Sequence, residues 1–387
     1  MVRAMRLCVA KRRLQAAGSM TAVIPLVYLL AMNSPAAVAD DNAASVQQVL
    51  VDLNLTEAPT PVRERPGWRK PARIVVRADA ERLAWLQPAA PGVELVAAPT
   101  ADAAIEVVGN ADAAIGFCSE GLLAAGTALR WIQLPYAGAE RCLRIPAIAE
   151  GQILVTNAQR VYGPEIAEHT MAMLLNFSRG LYRYRAAQDR RSWERGLVSE
   201  ERLWELTGKT MFVVGLGGIG TEVARRAHAL GMEVIATRAS RREGPPFVSY
   251  VGLADELMTL TPRADVIVNA APLTPATTGL FDAAFFAAMK PTAYFINVGR
   301  GRSVVTADLI EALEQGELAG AGLDVTEPEP LPADHPLWTA PNVIITPHVA
   351  AGSDRRIERL WIVMRENLRR YVSGEPMLSV VSVERGY

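Results

Sequence analysis

Residues 209–237 read KTMFVVGLGGIGTEVARRAHALGMEVIAT. The stretch predicts a buried strand, a glycine turn of the pattern G-x-G-x-x-G, a helix and a second strand, in that order. In this context the first glycine permits the tight turn, the second lets the backbone approach a pyrophosphate, and the third lets helix and strand pack closely. The start of the helix adds free N–H groups and a partial positive charge. The stretch therefore predicts a dinucleotide-binding Rossmann unit, with cofactor contacts at Gly215, Gly217, Gly218, Ile219 and Gly220.

The end of the second strand indicates which dinucleotide binds. NAD is favoured by an acid at this point, which accepts hydrogen bonds from the ribose hydroxyls. Here the chain continues Thr237-Arg238-Ala239-Ser240-Arg241-Arg242, and the first acid is Glu243. Because a guanidinium pairs with a 2′-phosphate that an acid would repel, the segment predicts a preference for NADP, with NAD still possible. We predict Thr237, Arg238, Ser240 and Arg241 as contacts; the alternative is an exposed arginine run without a ligand.

On both sides of this unit, short apolar runs alternate with helical stretches. Such runs include residues 72–78, 111–117, 151–158, 264–272 and 342–347. Strands that alternate with helices predict an α/β fold with a parallel sheet covered on both faces. A long helix is predicted from Pro164 to Gln188, because proline at the first helical turn loses no hydrogen bond.

Composition excludes several classes of protein. The chain has 387 residues, and its 40 Lys and Arg nearly balance its 41 Asp and Glu, which argues against a nucleic-acid-binding protein. Half the residues are hydrophobic, so the chain is not disordered. Its 3 Cys are too few for a disulfide framework and match no metal-binding motif. No metal is expected.

The first residues predict export. Residues 1–39 contain basic residues near the start and no acid. Within them lie a short apolar run at 21–32 and, after it, small residues that precede a cleavage point after Ala39. This is typical of a signal peptide, and the run is too short to span a bilayer. We predict an exported or periplasmic protein without a membrane span in the mature chain. If the start codon is mis-assigned, the protein is cytoplasmic; an uncut anchor is the other alternative. Residues 40–71 predict an extension and linker, with one short amphipathic helix.

Five motifs, the glycine turn among them, resemble one enzyme family. In order they are GLGGIG, APLTPATTGLF, INVGRG, AGLDVTEPEP and ITPHVA. Together they resemble the D-isomer-specific 2-hydroxyacid dehydrogenases, over about residues 72–381. The resemblance implies a catalytic Arg300, Glu329 and His348. It also implies substrate binding by the backbone of Ala137 and Gly138, and cofactor contacts at Pro272, Thr277, Val298 and Asp324.

The resemblance also implies an architecture. A Rossmann NAD(P)-binding domain, residues 163–346, is inserted in a flavodoxin-like substrate domain formed by residues 72–162 and 347–387. Both are doubly wound parallel-sheet domains, with the active site in the cleft between them. Members of the family are usually homodimers, so a homodimer is expected here.

The chemistry of the three catalytic side chains agrees with this role. Reducing a 2-keto acid needs a hydride on carbon, which the cofactor supplies, and a proton on oxygen. Histidine gives a proton near neutral pH, and an adjacent carboxylate favours its protonated ring. The planar guanidinium of Arg300 suits a substrate carboxylate. We therefore predict reduction of glyoxylate, hydroxypyruvate or a similar small 2-keto acid to the D-hydroxy acid.

Alternatives stay open at this point. A formate dehydrogenase is disfavoured because it would carry Gln at Glu329, whereas a phosphite dehydrogenase is harder to exclude. A protein that senses NAD(P) and acts through partners, like the C-terminal binding proteins, is another alternative. Glu327 competes with Glu329 as the acid, and His169 is interpreted as structural.

Overall fold

The structure is a computed structural model that describes residues 43–200 and 203–387. The predicted signal peptide, 1–39, and the first residues of the predicted extension lie outside the described residues. Where the chain is described, two parallel sheets with their helices make an α/β fold, as the sequence predicted. No helix within this part is both long and apolar enough to cross a bilayer.

The described elements alternate along the chain in the predicted way. The helices are α1 (Ala43–Asp52), α2 (Ala80–Leu86), α3 (Ala101–Val107), α4 (Glu120–Ala125), α5 (Pro146–Ala149), α6 (Gly163–Ser178), α7 (Leu181–Asp189), α8 (Gly218–Ala229), α9 (Leu257–Leu260), α10 (Ala283–Ala287), α11 (Thr306–Gln315) and α12 (Arg356–Ser373). The strands are β1 (Glu57–Pro61), β2 (Arg73–Val76), β3 (Glu94–Ala97), β4 (Ala113–Ile115), β5 (Trp131–Gln133), β6 (Leu154–Thr156), β7 (Thr210–Val214), β8 (Glu233–Arg238), β9 (Tyr250–Leu253), β10 (Val266–Asn269), β11 (Tyr294–Asn297), β12 (Gly320–Leu323), β13 (Val343–Ile345) and β14 (Pro376–Leu378).

The first parallel sheet has the strand order β3-β2-β4-β5-β6. This is a doubly wound order in which ligands bind beyond the carboxyl ends of the strands. Strands β4, β5 and β6 are buried throughout, as expected for a parallel sheet covered on both faces. Three of its helices begin at a side-chain N-cap, in which Asp79, Thr100 and Ser119 each accept a hydrogen bond from an N–H of the first turn.

The second parallel sheet has the order β9-β8-β7-β10-β11-β12-β13. The first six strands of this row follow the Rossmann order, and β13 extends it at one edge. Its core includes four phenylalanines in mutual contact, Phe281, Phe285, Phe286 and Phe295. Strands β10 to β13 pair in parallel, so their carboxyl ends meet along one edge.

The chain returns to the first sheet after β13. Tyr371 on α12 stacks on Trp131 of β5 with a ring separation of 4.5 Å. Asn367 Nδ2, also on α12, donates to Gln133 Oε1 over 2.8 Å. The second sheet is thus inserted between β6 and the helix that completes the first. All strands of the first sheet fall within 72–162 and all strands of the second within 163–346, while the domain boundaries themselves stay predictions.

Two local predictions were wrong. The long helix predicted from Pro164 is divided into α6 and α7, because Gly180 takes a left-handed conformation with φ +64° between them. Part of the predicted linker is the strand β1, which pairs antiparallel with β14. Its prolines are tolerated because in a two-stranded ribbon one side of the strand carries no partner.

A disulfide that the sequence did not predict joins Cys118 to Cys142. Cys118 follows β4 and Cys142 follows β5, so the bond links two loops at the carboxyl edge of the first sheet. The second of these loops carries Ala137 and Gly138, the predicted substrate contacts.

Candidate active site

The glycine turn between β7 and α8 has the geometry that a dinucleotide needs. Gly215 has φ +95°, and a Cβ there would lie 2.7 Å from the backbone of Ala271. A Cβ on Gly220 would overlap the carbonyl oxygen of Gly215. At Gly217, by contrast, no described residue other than its chain neighbours has an atom within 4 Å of the position that a Cβ would take. Helix α8 begins at Gly218 without a side-chain cap, so the N–H groups of Gly218 and Ile219 are available. Open space beside uncapped N–H groups fits a pyrophosphate.

The end of β8 carries the predicted specificity residues. The carbonyl oxygen of Thr237 accepts from the N–H of Gly215 at 3.2 Å, which ties the turn to this strand. Arg238 Nε is buried, and no described residue hydrogen-bonds to it. Burial, followed by the like charges of Arg241 and Arg160, lowers the pKa of the Arg238 guanidinium. These features fit an anionic ligand.

The arginines of this segment are not equivalent. Arg242 Nη1 lies 2.7 Å from Glu256 Oε1 and is thus paired within the protein. Ser240 and Arg241 are exposed, and no ion pair joins Arg241 to an acid in the described part of the chain. Arg242 is therefore paired within the protein, whereas Arg238 and Arg241 remain available for a ligand.

Three further predicted cofactor residues follow β10 and β11. The Thr277 hydroxyl donates to the carbonyl oxygen of Pro272 at 2.6 Å and accepts from the N–H of Thr274 at 2.8 Å. This hydroxyl therefore closes its own loop. Val298 is buried directly after β11, where its N–H donates to the carbonyl oxygen of Asn269. All three residues lie at the carboxyl edge of the second sheet, and their contact with the cofactor stays a prediction.

Arg300 extends from the second sheet to the first. It lies three residues after β11, and its Nε donates to Glu140 Oε1 at 3.0 Å. Its Nη1 donates to the carbonyl oxygen of Gly299 at 2.8 Å. Nη2 lies against Gly138 so closely that a Cβ at this position would overlap it. Two of the three nitrogens are thus held by protein oxygens, and Nη2 faces the loop that follows β5.

That loop has the features expected of a carboxylate site. Asn157 Nδ2 donates to the carbonyl oxygen of Ala137 at 2.6 Å, which orients the peptide. Within the described residues, no acceptor is hydrogen-bonded to the N–H groups of Ala137 and Gly138. Free N–H groups beside a guanidinium form a surface that suits a substrate carboxylate.

His348 and Glu329 form the second functional pair. His348 Nδ1 lies 2.7 Å from Glu329 Oε1, and both side chains are partly exposed. The pair comes from loops after β13 and β12, which are neighbouring parallel strands. Because Nδ1 faces the carboxylate, Nε2 is the ring nitrogen left to face a substrate. The competing acid, Glu327, is not the hydrogen-bond partner of this imidazole.

Asp324 supports the loop that carries His348. Its Oδ1 accepts from the Thr346 hydroxyl at 2.6 Å and from the Val349 N–H at 3.0 Å, and its Oδ2 accepts from the Ala350 N–H at 3.0 Å. The His348 N–H donates to the Asp324 carbonyl oxygen at 2.8 Å, and His348 has φ +54°. The carboxylate therefore braces the unusual backbone at His348. The contact of Asp324 with the nicotinamide end of the cofactor stays a prediction.

The structure does not bring all three predicted catalytic side chains into direct contact. No hydrogen bond joins the Arg300 guanidinium to the His348–Glu329 pair in the described chain. Both groups instead lie at the carboxyl edge formed by β11, β12 and β13. A substrate held at that edge would separate them.

Sequence reasoning missed two residues here. Glu140 holds Arg300, and Arg160 packs on the glycine turn. Neither was predicted, because neither belongs to a recognisable motif. His169 Nε2 lies 2.9 Å from the Thr346 hydroxyl and 3.7 Å from Asp324 Oδ1, and its interpretation as a structural residue stays a prediction. Only the glutamate had a local signal, since it follows Ala137 and Gly138 in the same loop.

Comparisons with known proteins identify the family. Residues 171–350 match the model for the "D-isomer specific 2-hydroxyacid dehydrogenase, NAD binding domain". A glyoxylate/hydroxypyruvate reductase A of Photorhabdus laumondii is 35% identical over 225 residues, 58% of this chain and 69% of that protein. The human glyoxylate reductase/hydroxypyruvate reductase is 39% identical over 188 residues, 48% of this chain and 57% of that protein.

A solved structure extends the likeness to the whole fold. The NADPH-dependent glyoxylate/hydroxypyruvate reductase of Sinorhizobium meliloti, solved with NADP and sulfate, superposes with a TM-score of 0.70 at 30% identity, covering 82% of this chain and 100% of that one. The glycine turn, the two parallel sheets and these likenesses agree. The chain therefore belongs to the D-isomer-specific 2-hydroxyacid dehydrogenase family, NAD(P)-dependent oxidoreductases that act on the CH–OH group of their donors.

Proposed function

We propose that the protein reduces a small 2-keto acid of the glyoxylate or hydroxypyruvate type to the D-2-hydroxy acid with NADPH. The observation that carries the proposal is the contact between Arg300 and Gly138, which brings a guanidinium against free N–H groups. That surface suits the carboxylate of a short acid. The reductases named above support the substrate class.

In the proposed reaction Arg300 and the loop after β5 hold the substrate. Arg300 Nη2 and the N–H groups of Ala137 and Gly138 bind its carboxylate, and Glu140 keeps the guanidinium in place. This orients the keto group toward the second sheet. When bound, NADPH would supply the hydride for the keto carbon.

His348 is the proposed acid. Glu329 fixes its Nδ1, so Nε2 carries the proton that the keto oxygen receives. The carboxylate of Glu329 also fixes the orientation of the ring for this transfer. In the direction of oxidation the same nitrogen accepts the proton from the hydroxyl group.

We propose that NADP is preferred and that NAD remains a weaker alternative. Arg238, Ser240 and Arg241 provide donors at the end of β8, and Arg238 Nε is buried without a hydrogen-bond partner among the described residues. A 2′-phosphate would supply that partner. The NADP-bound Sinorhizobium meliloti enzyme supports this choice.

The decisive experiment is oxidation of NADPH and NADH by the purified protein with a panel of substrates. We expect turnover with glyoxylate or hydroxypyruvate and a higher kcat/KM with NADPH. Activity with phosphite or formate in the reverse direction would favour the alternative dehydrogenases. Tight NADP binding without turnover on any 2-keto acid would favour an NAD(P)-sensing protein.

We also propose export and a homodimer. The Cys118–Cys142 disulfide supports export, since such bonds persist in oxidising compartments. Exposed apolar side chains at Leu175, Leu181 and Trp193, on and just after α6 and α7, support a subunit contact there. N-terminal sequencing of the protein from its native cell fraction tests the first, and light scattering during size-exclusion chromatography tests the second.

A further inference from the structure

Arg160 lies on the glycine turn although it belongs to the loop between β6 and α6. A Cβ on Gly218 would lie 2.7 Å from Arg160 Cγ and 3.0 Å from its Cα, so the two residues are in direct contact. Gly218 is the first residue of α8, where a cofactor phosphate is expected. Arg160 therefore borders the dinucleotide site.

The backbone of Arg160 has a conformation that its residue type disfavours. Its φ is +71°, in the left-handed region that favours glycine. The Gly163 N–H donates to the Arg160 carbonyl oxygen at 3.1 Å and closes a tight turn over Gly218. A glycine would adopt this turn more easily, so the geometry of the turn does not by itself explain an arginine at this position. A residue held in a disfavoured conformation beside a binding site is a candidate for function.

The Arg160 guanidinium faces other cations. Burial, then the like charge of Arg241, lowers its pKa, while Glu222 opposes this effect. Glu222 is itself paired with Arg225 and Arg226. No hydrogen bond or ion pair ties Arg160 to an acid in the described part of the chain, and Arg238 Nε is likewise without a partner. Burial, then the like charges of Arg241 and Arg160, also lowers the pKa of Arg238, so the three guanidiniums lie within electrostatic range of one another. Among the described residues, no carboxylate is paired directly with any of the three.

We propose that Arg160 is a third arginine that binds the 2′-phosphate of NADPH, together with Arg238 and Arg241. The inference rests on the proposed NADP preference and adds a residue from outside the Rossmann unit to it. A 2′-phosphate is a dianion with three acceptor oxygens, which matches three neighbouring guanidiniums. Because Arg160 precedes α6, the segment that connects the two sheets would also contribute a residue that binds the phosphate.

The test compares dissociation constants by isothermal titration calorimetry, which needs no turnover. Arg160→Gly removes the guanidinium and suits the left-handed backbone, so the fold should be retained, as thermal unfolding without ligand would check. We expect this variant to bind NADP⁺ about tenfold to a hundredfold more weakly, with NAD⁺ binding changed less than about twofold. Arg242→Ala is the matched control, since Arg242 is paired with Glu256, and it should leave both constants unchanged.

Two outcomes would overturn the inference. If Arg160→Gly binds NADP⁺ as tightly as the wild type, Arg160 does not contact the cofactor phosphate. If it weakens NADP⁺ and NAD⁺ equally, Arg160 contacts the pyrophosphate that both share. A wild-type protein that binds NAD⁺ more tightly than NADP⁺ would instead contradict the proposed cofactor preference, before any variant is made.

Discussion

The guanidinium of Arg300 occupies the space that a side chain at Gly138 would need. The contact joins a loop of the first sheet to a loop of the second, because Gly138 follows β5 and Arg300 follows β11. Glu140 holds the same guanidinium through its Nε. The position of the Arg300 side chain therefore depends on the absence of a Cβ at Gly138, in the loop after β5.

We expect Gly138→Ala to displace Arg300 and to lower kcat/KM for 2-keto acids by about a hundredfold, because a small misplacement of a binding group has a large effect on rate. Steady-state kinetics would measure this. Gly109→Ala is the control, since a Cβ there would have no atom within 4 Å from the described residues beyond its chain neighbours. Unchanged kinetics for Gly138→Ala would show that Arg300 does not bind the substrate.

We expect His348→Gln to lower kcat by about 10²–10⁴-fold, because glutamine keeps polarity but cannot donate the proton. NADP⁺ binding, measured by calorimetry, should not change. The double variant with Glu329→Gln should be little slower than His348→Gln alone, because both residues act as one unit. His228→Gln, at an exposed position on α8, is the control. Full turnover in His348→Gln would remove this histidine from the reaction.

Two glycines of the same turn should respond differently to alanine. Gly217 faces open space, so Gly217→Ala should lower the free energy of unfolding by less than about 1 kcal/mol and yet weaken cofactor binding. Gly220 packs against the carbonyl oxygen of Gly215, so Gly220→Ala should lower the free energy of unfolding by about 1–3 kcal/mol. Urea denaturation and calorimetric titration with NADP⁺ would separate the two effects. Unchanged affinity of Gly217→Ala for NADP⁺ would contradict the proposed approach of the pyrophosphate at Gly217.

We expect reduction of the Cys118–Cys142 bond to destabilise the first sheet. The cysteines are 24 residues apart, and closing a loop of that size stabilises a protein by about 3 kcal/mol. Urea denaturation with and without dithiothreitol measures the loss. A variant with serine at both positions should start at the lower stability and should not respond to the reductant. Identical curves for the wild type in both conditions would show that the thiols are not paired.

Features that depend on consecutive residues could be predicted from the sequence, whereas features that depend on contacts between distant residues could not. The Rossmann unit was predictable because strand, turn and helix are consecutive, and each glycine has a local reason. The division of the long helix at Gly180 was missed because an isolated glycine within a helical pattern is often tolerated. Strand β1 was missed because its pairing with β14 depends on residues at the far end of the chain.

The sequence by itself determined the α/β class, the glycine turn and the family, because these depend on local patterns of apolar residues and on motifs that stand in order. Tertiary structure alone decided that Glu140 holds Arg300, that Cys118 meets Cys142, and that Arg160 lies on Gly218. In each of these pairs the partners are distant in the chain and come from different parts of the fold. Parallel sheets bring the carboxyl ends of many strands to one edge, and no spacing in the sequence records which side chains meet there.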